Sequence, residues 1–147
     1  MTAQDTSAEY TLVLIKPDAY ERGLTGEILR RFEVKGYRLA ALSIVHATEE
    51  TLARHYVEHK AKHFFAPLVE YMASGPMVAV VVEGNRVLEG VRNMIGATNP
   101  TLAAPGSIRG DFGRDWGGGP IRNVVHASDS FESAHREIAI WFPDFEH

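Results

Sequence analysis

The octapeptide Asn123-Val124-Val125-His126-Ala127-Ser128-Asp129-Ser130 sets an imidazole between an apolar pair and a run of small polar residues. Val124 and Val125 read as the end of a buried strand. From Phe131 onward, Phe131, Ala134, Ile138 and Trp141 or Phe142 recur at helical spacing. Asp129 or Ser130 can cap that helix, and Asp129 with Glu132 has capping-box spacing. His126 thus falls where a strand gives way to a turn and a capped helix, beside N–H donors that suit an anion. Glu137 lies on the same helix and can fold back past the imidazole. A carboxylate on one ring nitrogen fixes the tautomer and leaves the other nitrogen as a nucleophile. By residue type alone, the same stretch also fits a core-edge histidine with a solvated glutamate, since the chain carries 7 histidines.

The elements that must hold these residues follow from the apolar pattern. Tyr10 to Ile15 is a compact apolar run suited to a central strand that delivers Lys16 at its end, and Pro17 stops the ladder. Asp18 to Gly23 reads as a turn. Thr25 caps a helix burying Ile28, Leu29 and Phe32, with Gly36 as its left-handed terminator. Tyr37 to His46 is a second strand. Thr48-Glu49-Glu50 starts a helix presenting Leu52, His55, Tyr56 and His59. A short helix from His63 to Ala73 follows, then a valine-rich strand from Met77 to Val82 and a helix from Asn85 to Ile95. Gly96 to Gly119 has little periodicity, and a loop of that length is more often functional than idle. The order implies a ferredoxin-like split βαβ sandwich of the α+β class. Its four-stranded antiparallel sheet would carry helices on one face.

At 147 residues the chain fits a single domain, 1–147, with residues 1–9 as a flexible N-terminus. A net charge of −4 argues against a general nucleic-acid coat, and no specific nucleic acid is expected. With no cysteine, thiolate catalysis and cysteine-based zinc sites are excluded. No apolar stretch reaches the length of a membrane span, so a cytoplasmic location without membrane partners is the default. Neither a Gly-Lys-Ser/Thr phosphate loop nor an Asp-Phe-Gly run occurs. Lys16, Arg92 and Arg109 can supply positive charge to phosphates, Thr98 a hydroxyl and Phe64 an aromatic face.

Lys16-Pro17-Asp18, Thr98-Asn99-Pro100, Pro105-Gly106-Ser107-Ile108-Arg109-Gly110-Asp111-Phe112 and Asn123 to Ser130 occur in this order. Together they resemble the nucleoside diphosphate kinase family from Tyr10 to about Phe142. The resemblance implies transfer of the γ-phosphate of a nucleoside triphosphate, typically ATP, to a nucleoside diphosphate through a phosphohistidine at His126. It implies that Glu137 orients His126 with support from Ser128, and that Lys16 and Asn123 hold the ribose, Lys16 also reaching the transferring phosphate. Arg92, Thr98 and Arg109 would grip the terminal phosphates. Tyr56 would lie beside the histidine, His59 would reach the phosphate nearest the sugar, and Phe64 would stack on the base. Stacking is indifferent to base identity, so ribo and deoxy di- and triphosphates would all be partners. Mg2+ would ride on the nucleotide phosphates without direct protein ligands. A homo-oligomer is implied, a hexamer ahead of a tetramer, with contacts through the loop from about Gly96 to Gly119.

Several positions depart from that pattern. Ala127 replaces a usual glycine and would be strained if its φ were positive. The segment 113–122 is longer than usual, leaving Trp116, Pro120 and Ile121 as candidates to face the base opposite Phe64. Lys62-His63 replaces Arg-Pro and loses bidentate geometry. The chain lacks the longer C-terminal arm that crosses subunits in family hexamers, which predicts a less stable oligomer. The rival readings are a catalytically impaired nucleotide-binding or regulatory module and a sheet-based nucleic-acid binder. The second would need exposed sheet aromatics, which these strands do not offer.

Overall fold

The computed structural model describes residues 8–119 and 122–146. Four strands, β1 (Glu9–Ile15), β2 (Arg38–Val45), β3 (Met77–Gly84) and β4 (Val125–Ala127), form one sheet in the order β2-β3-β1-β4. Every neighbouring pair is antiparallel. The connections are α1 (Pro17–Glu21), α2 (Thr25–Lys35), α3 (Glu49–His55), a 3-10 turn (Val57–His59), α4 (Phe65–Met72), α5 (Val87–Ile95) and α6 (Ile108–Phe112); α7 (Phe131–Trp141) follows β4.

The expected four-stranded antiparallel sheet is present, but helices cover both of its faces rather than one. On one side Val13, Ile15, Val78, Val80 and Val82 pack with Ile28 and Phe32 of α2 and with Val87, Val91 and Ile95 of α5. On the other, Leu12, Leu14, Ala79 and Val81 meet Leu52 of α3, Val69 and Met72 of α4, and Ile138 of α7. A strand buried on both faces has no polar side to alternate with, which is why β1 and β3 read as unbroken apolar runs.

Local chemistry accounts for the other differences. Pro17 opens α1 rather than a turn, because its fixed φ suits the first helical position. Leu24, not Thr25, is the residue before α2, and no side chain caps that end. Gly36 ends α2 with φ 105°, as expected of a left-handed terminator. Thr48 caps α3 by accepting the Thr51 N–H. Ser130 caps α7 by accepting the Ser133 N–H, while Asp129 takes the Ser133 hydroxyl at 2.8 Å.

The glycine-rich loop after α5 contains a helix that periodicity could not show, since α6 is only one turn long. Ser107 caps it by accepting the Gly110 N–H at 3.0 Å. Gly96, with φ 84°, starts the loop where a Cβ would lie 2.5 Å from the Ser107 hydroxyl oxygen, so only glycine lets the cap approach. Farther on, Arg114 and Arg122 pair across a single antiparallel bridge.

Candidate active site

Strand alternation decides where His126 points. In β4, Val125 and Ala127 enter the core shared with α2 and α5. His126, paired with Leu14 of β1, therefore faces the opposite layer, where α7 packs on β1. β4 is short because its start is fixed by a sharp turn. The Val125 N–H donates to the Asn123 carbonyl at 2.8 Å, and Val124 between them has φ 77°. This is a three-residue γ-turn of the rare positive-φ kind, held by a β-branched residue for which that region is costly. Val124 is not the end of a strand; it is the strained corner from which the strand leaves. The Lys16 N–H donates to its carbonyl at 2.8 Å and braces the corner against the end of β1. His126 lies within the strand rather than beyond it.

On the α7 side, Glu137 Oε1 lies 2.8 Å from His126 Nε2 and accepts the Ser128 hydroxyl at 2.8 Å. Arg136 approaches the other oxygen at 3.7 Å and reaches Glu58 at 3.6 Å. With Nε2–H donating to the carboxylate, Nδ1 is the ring nitrogen left for chemistry. A cavity of about 270 Å3 opens beside it, and Lys16, Tyr56, His59, Arg92, Thr98, Arg109 and Asn123 share its wall with His126 and Glu137.

The cations in that wall are held by the fold. Lys16 Nζ donates to Asn123 Oδ1 at 2.7 Å, and Asn123 Nδ2 donates to the Thr98 carbonyl at 2.9 Å. Arg109, buried, donates to the carbonyls of Gly96 at 3.1 Å and Val125 at 2.7 Å. The exposed Arg92 reaches the Ala127 carbonyl at 3.4 Å. Burial and the neighbouring Arg109 lower the Lys16 pKa to about 8, and burial with Arg92 lowers that of Arg109 to about 10. Like charges gathered in one wall, with Arg109 acting on Lys16 and Arg92 on Arg109, make a site waiting for an anion. Burial, then Lys16 and Arg109, push the His126 pKa far below its ordinary value, so the imidazole is neutral at physiological pH. Burial raises the pKa of Glu137, opposed by His55, Ser128 and Arg136.

Phe64 and Trp116 lie outside this wall. Phe64 is 40 % exposed at the start of α4, 5.5 Å from the His59 ring, while Phe65 takes the core position instead. Lys62 sits over the Phe64 ring at 5.6 Å. Trp116, also exposed, stacks under Arg114 at 4.2 Å; Pro120 and Ile121, the other two candidates, lie outside the described residues. Among the described residues the only non-glycine positions with positive φ are Arg86 and Val124, so the methyl of Ala127 sits in ordinary strand backbone without strain.

Sequence reasoning missed His55, Glu58 and Arg136, all in the cavity wall. Helical spacing presents His55 with Leu52, Tyr56 and His59 but gives it no role; only the fold shows its ring 4.5 Å from that of His126. Ligand atoms of His55, His126 and Glu137 lie within 4.8 Å of one another, a group that could hold a metal ion. No helix among the described residues is long and apolar enough to cross a membrane.

The family model of nucleoside diphosphate kinase matches residues 9–147. A nucleoside diphosphate kinase of Streptomyces avermitilis is 56 % identical over 140 residues, spanning 92 % of this chain and 97 % of its own. Nucleoside diphosphate kinase 3 of Mus musculus is 54 % identical over 138 residues, spanning 94 % of this chain and 79 % of its own. The structure of the Aquifex aeolicus enzyme superposes with a TM-score of 0.86 at 45 % identity, covering 92 % of this chain and 96 % of that one. That of the Halobacterium salinarum enzyme in complex with CDP gives 0.87 at 42 % identity, covering 94 % and 90 %. A neutral imidazole with a fixed tautomer among converging cations is thus set in a chain that matches these enzymes along nearly its whole length, and the chain belongs to the nucleoside diphosphate kinase family of phosphotransferases.

Proposed function

We propose that this nucleoside diphosphate kinase works through a phosphohistidine on Nδ1 of His126. The observation that carries the reading is the 2.8 Å bond from His126 Nε2 to Glu137, which leaves the other ring nitrogen as the nucleophile beside three cations. Nδ1 attacks the γ-phosphorus of a bound triphosphate, the bond to the bridging oxygen breaks, and the diphosphate leaves with that electron pair. Throughout, the proton stays on Nε2 and Glu137 offsets the charge growing on the ring. A second diphosphate then enters the same cavity, its terminal oxygen attacks the phosphorus, and the P–N bond breaks. One pocket serving both nucleotides in turn gives ping-pong kinetics.

Lys16, Arg92 and Arg109 neutralise the transferring group, and Thr98 adds a hydroxyl at the cavity wall. Lys16 and Asn123, paired with each other in the wall, bind the ribose in this reading. His59 and the exposed Phe64 lead outward from the nucleophile and form the side against which the sugar-proximal phosphate and the base lie. Tyr56, its ring 6.3 Å from that of His126, closes the wall beside the nucleophile. Stacking on an aromatic face is indifferent to base identity, which supports broad acceptance of purine and pyrimidine, ribo and deoxy nucleotides.

Magnesium fits the nucleotide better than the protein. Mg2+ requires oxygen ligands in octahedral array, whereas His55, His126 and Glu137 offer two imidazoles and a carboxylate oxygen already engaged twice. The four cationic side chains in the wall further oppose a bare cation. The ion therefore belongs with the phosphates it enters on.

A homo-oligomer is supported by the open edge of the sheet, while a hexamer ahead of a tetramer rests on the family resemblance alone. β2 has no outer partner among the described residues, and Leu42 and Ile44 on it are 53 % and 61 % exposed.

Labelling with γ-32P-ATP tests the mechanism. The label should be acid-labile and alkali-stable, transfer to added diphosphate, and vanish in His126→Ala. Binding of nucleotide without label would instead indicate a module that has lost turnover.

A further inference from the structure

His55 is the one ring in the cavity wall that the reaction above does not use. Only 2 % exposed, it stands edge-on to His126, with 4.5 Å between centroids and 73° between planes. Trp141 of α7 donates its indole Nε1–H to His55 Nδ1 at 3.0 Å. Tryptophan can only donate, so Nδ1 must accept, and the proton of the neutral ring must sit on Nε2. That Nε2 is buried with no hydrogen-bond partner among the described residues. A polar atom left unpaired in a core normally costs stability, which makes its retention at this spot informative. Burial, and then the neighbouring His126, lower the His55 pKa to about 3, so the ring stays uncharged beside the nucleophile.

Glu137 alone does not hold the nucleophile still. One hydrogen bond at Nε2 leaves His126 free to rotate about that bond, swinging Nδ1 through the cavity. A rigid ring edge against one face removes this freedom. Tyr56 packs nearly perpendicular to His55 with centroids 4.5 Å apart, and its own ring lies 6.3 Å from that of His126.

We infer that His55 is a positioning residue for phosphoryl transfer: Trp141 locks its tautomer, and its edge fixes the plane of the His126 ring so that Nδ1 meets the phosphorus in line. The inference rests on His126 being the phosphorylated residue. It deepens that reading by assigning a role to two side chains, Trp141 and His55, that touch no substrate.

The test is single-turnover phosphorylation of the full chain by ATP, with the labelled residue identified, in the wild type, His55→Ala, His55→Phe and Trp141→Phe. His55→Ala should form phosphohistidine about 10- to 100-fold more slowly, the scale of a small misplacement of a reacting atom. Its Kd for ADP should change less than about 2-fold, because no nucleotide contact is lost. His55→Phe keeps the edge and should recover part of the rate. Trp141→Phe should give a mixed His55 tautomer by 15N NMR and an intermediate rate. Wild-type phosphorylation rates in folded His55→Ala would overturn the inference, as would an equal loss of ADP affinity. If His55→Ala does not fold, Trp141→Phe decides: an altered tautomer with an unchanged rate overturns it. Label on a residue other than His126 in the wild type would defeat the phosphohistidine reading itself, a result distinct from these.

Discussion

Glu137 and His126 come from different elements, α7 and β4, yet meet at 2.8 Å through a carboxylate oxygen that also accepts the Ser128 hydroxyl. That oxygen is positioned from two directions, so it can only accept from Nε2 in one orientation. Replacing Glu137 by glutamine keeps the shape but removes the charge that offsets the cationic ring. Turnover should fall by about 10- to 100-fold. His126→Ala should fall at least about 10⁴-fold because the nucleophile is gone. A coupled assay alongside far-UV circular dichroism checks both; a glutamine variant at wild-type turnover would remove the carboxylate from the mechanism.

The pH profile should report Lys16. Its pKa is lowered to about 8 in the free protein by burial and by Arg109. The ammonium is therefore present below that pH and lost as pH rises through it, so kcat/KM should decline above about pH 8. Nucleotide phosphates restore the charge, so binding near pH 8–9 should take up protons. Calorimetry in buffers of different ionisation enthalpy measures that uptake. Lys16→Met should abolish both the uptake and the alkaline limb.

Ala127 has ordinary strand backbone and buries its methyl beside Val13 and Val125. Restoring glycine there should therefore cost stability, about 1 kcal/mol from lost burial and added chain entropy, with little change in turnover. A urea titration with parallel activity measurements distinguishes this from relief of strain, which would raise stability instead.

Much of this architecture is legible in the residues, because a strand buried on both faces and an amphipathic helix leave strong periodic marks. β1, β3, α5 and α7 are of this kind, and Lys16, Arg92 and Glu137, carried on or beside them, come together in one cavity wall. What escapes is geometry without a period. α6 is a single turn nucleated by Ser107, and the γ-turn at Val124 puts a valine where glycine or asparagine is the usual choice. His55 escapes for another reason: a histidine after Leu52 on a helix looks the same whether it meets solvent, core or a second histidine. The contact depends on how α3 and α7 pack on the sheet.

The edge of the sheet offers a last measurement. Leu42 and Ile44 of β2 are exposed, and the strand's outer backbone groups, unpaired by any strand among the described residues, would template another strand. Covering both recovers about 1.5–3 kcal/mol for each fully buried side chain, enough to matter to an interface repeated by symmetry. If a second copy of this chain paired β2 with β2 about a two-fold axis, Leu42 and Ile44 of each copy would gain the partner's side chains as neighbours on the sheet face. The double substitution Leu42→Lys and Ile44→Lys should therefore lower the molar mass by light scattering while β1, β3 and the cavity stay intact. If the mass is unchanged, this edge lies outside the oligomer contacts, and assembly must run through other surfaces such as the loop that contains α6.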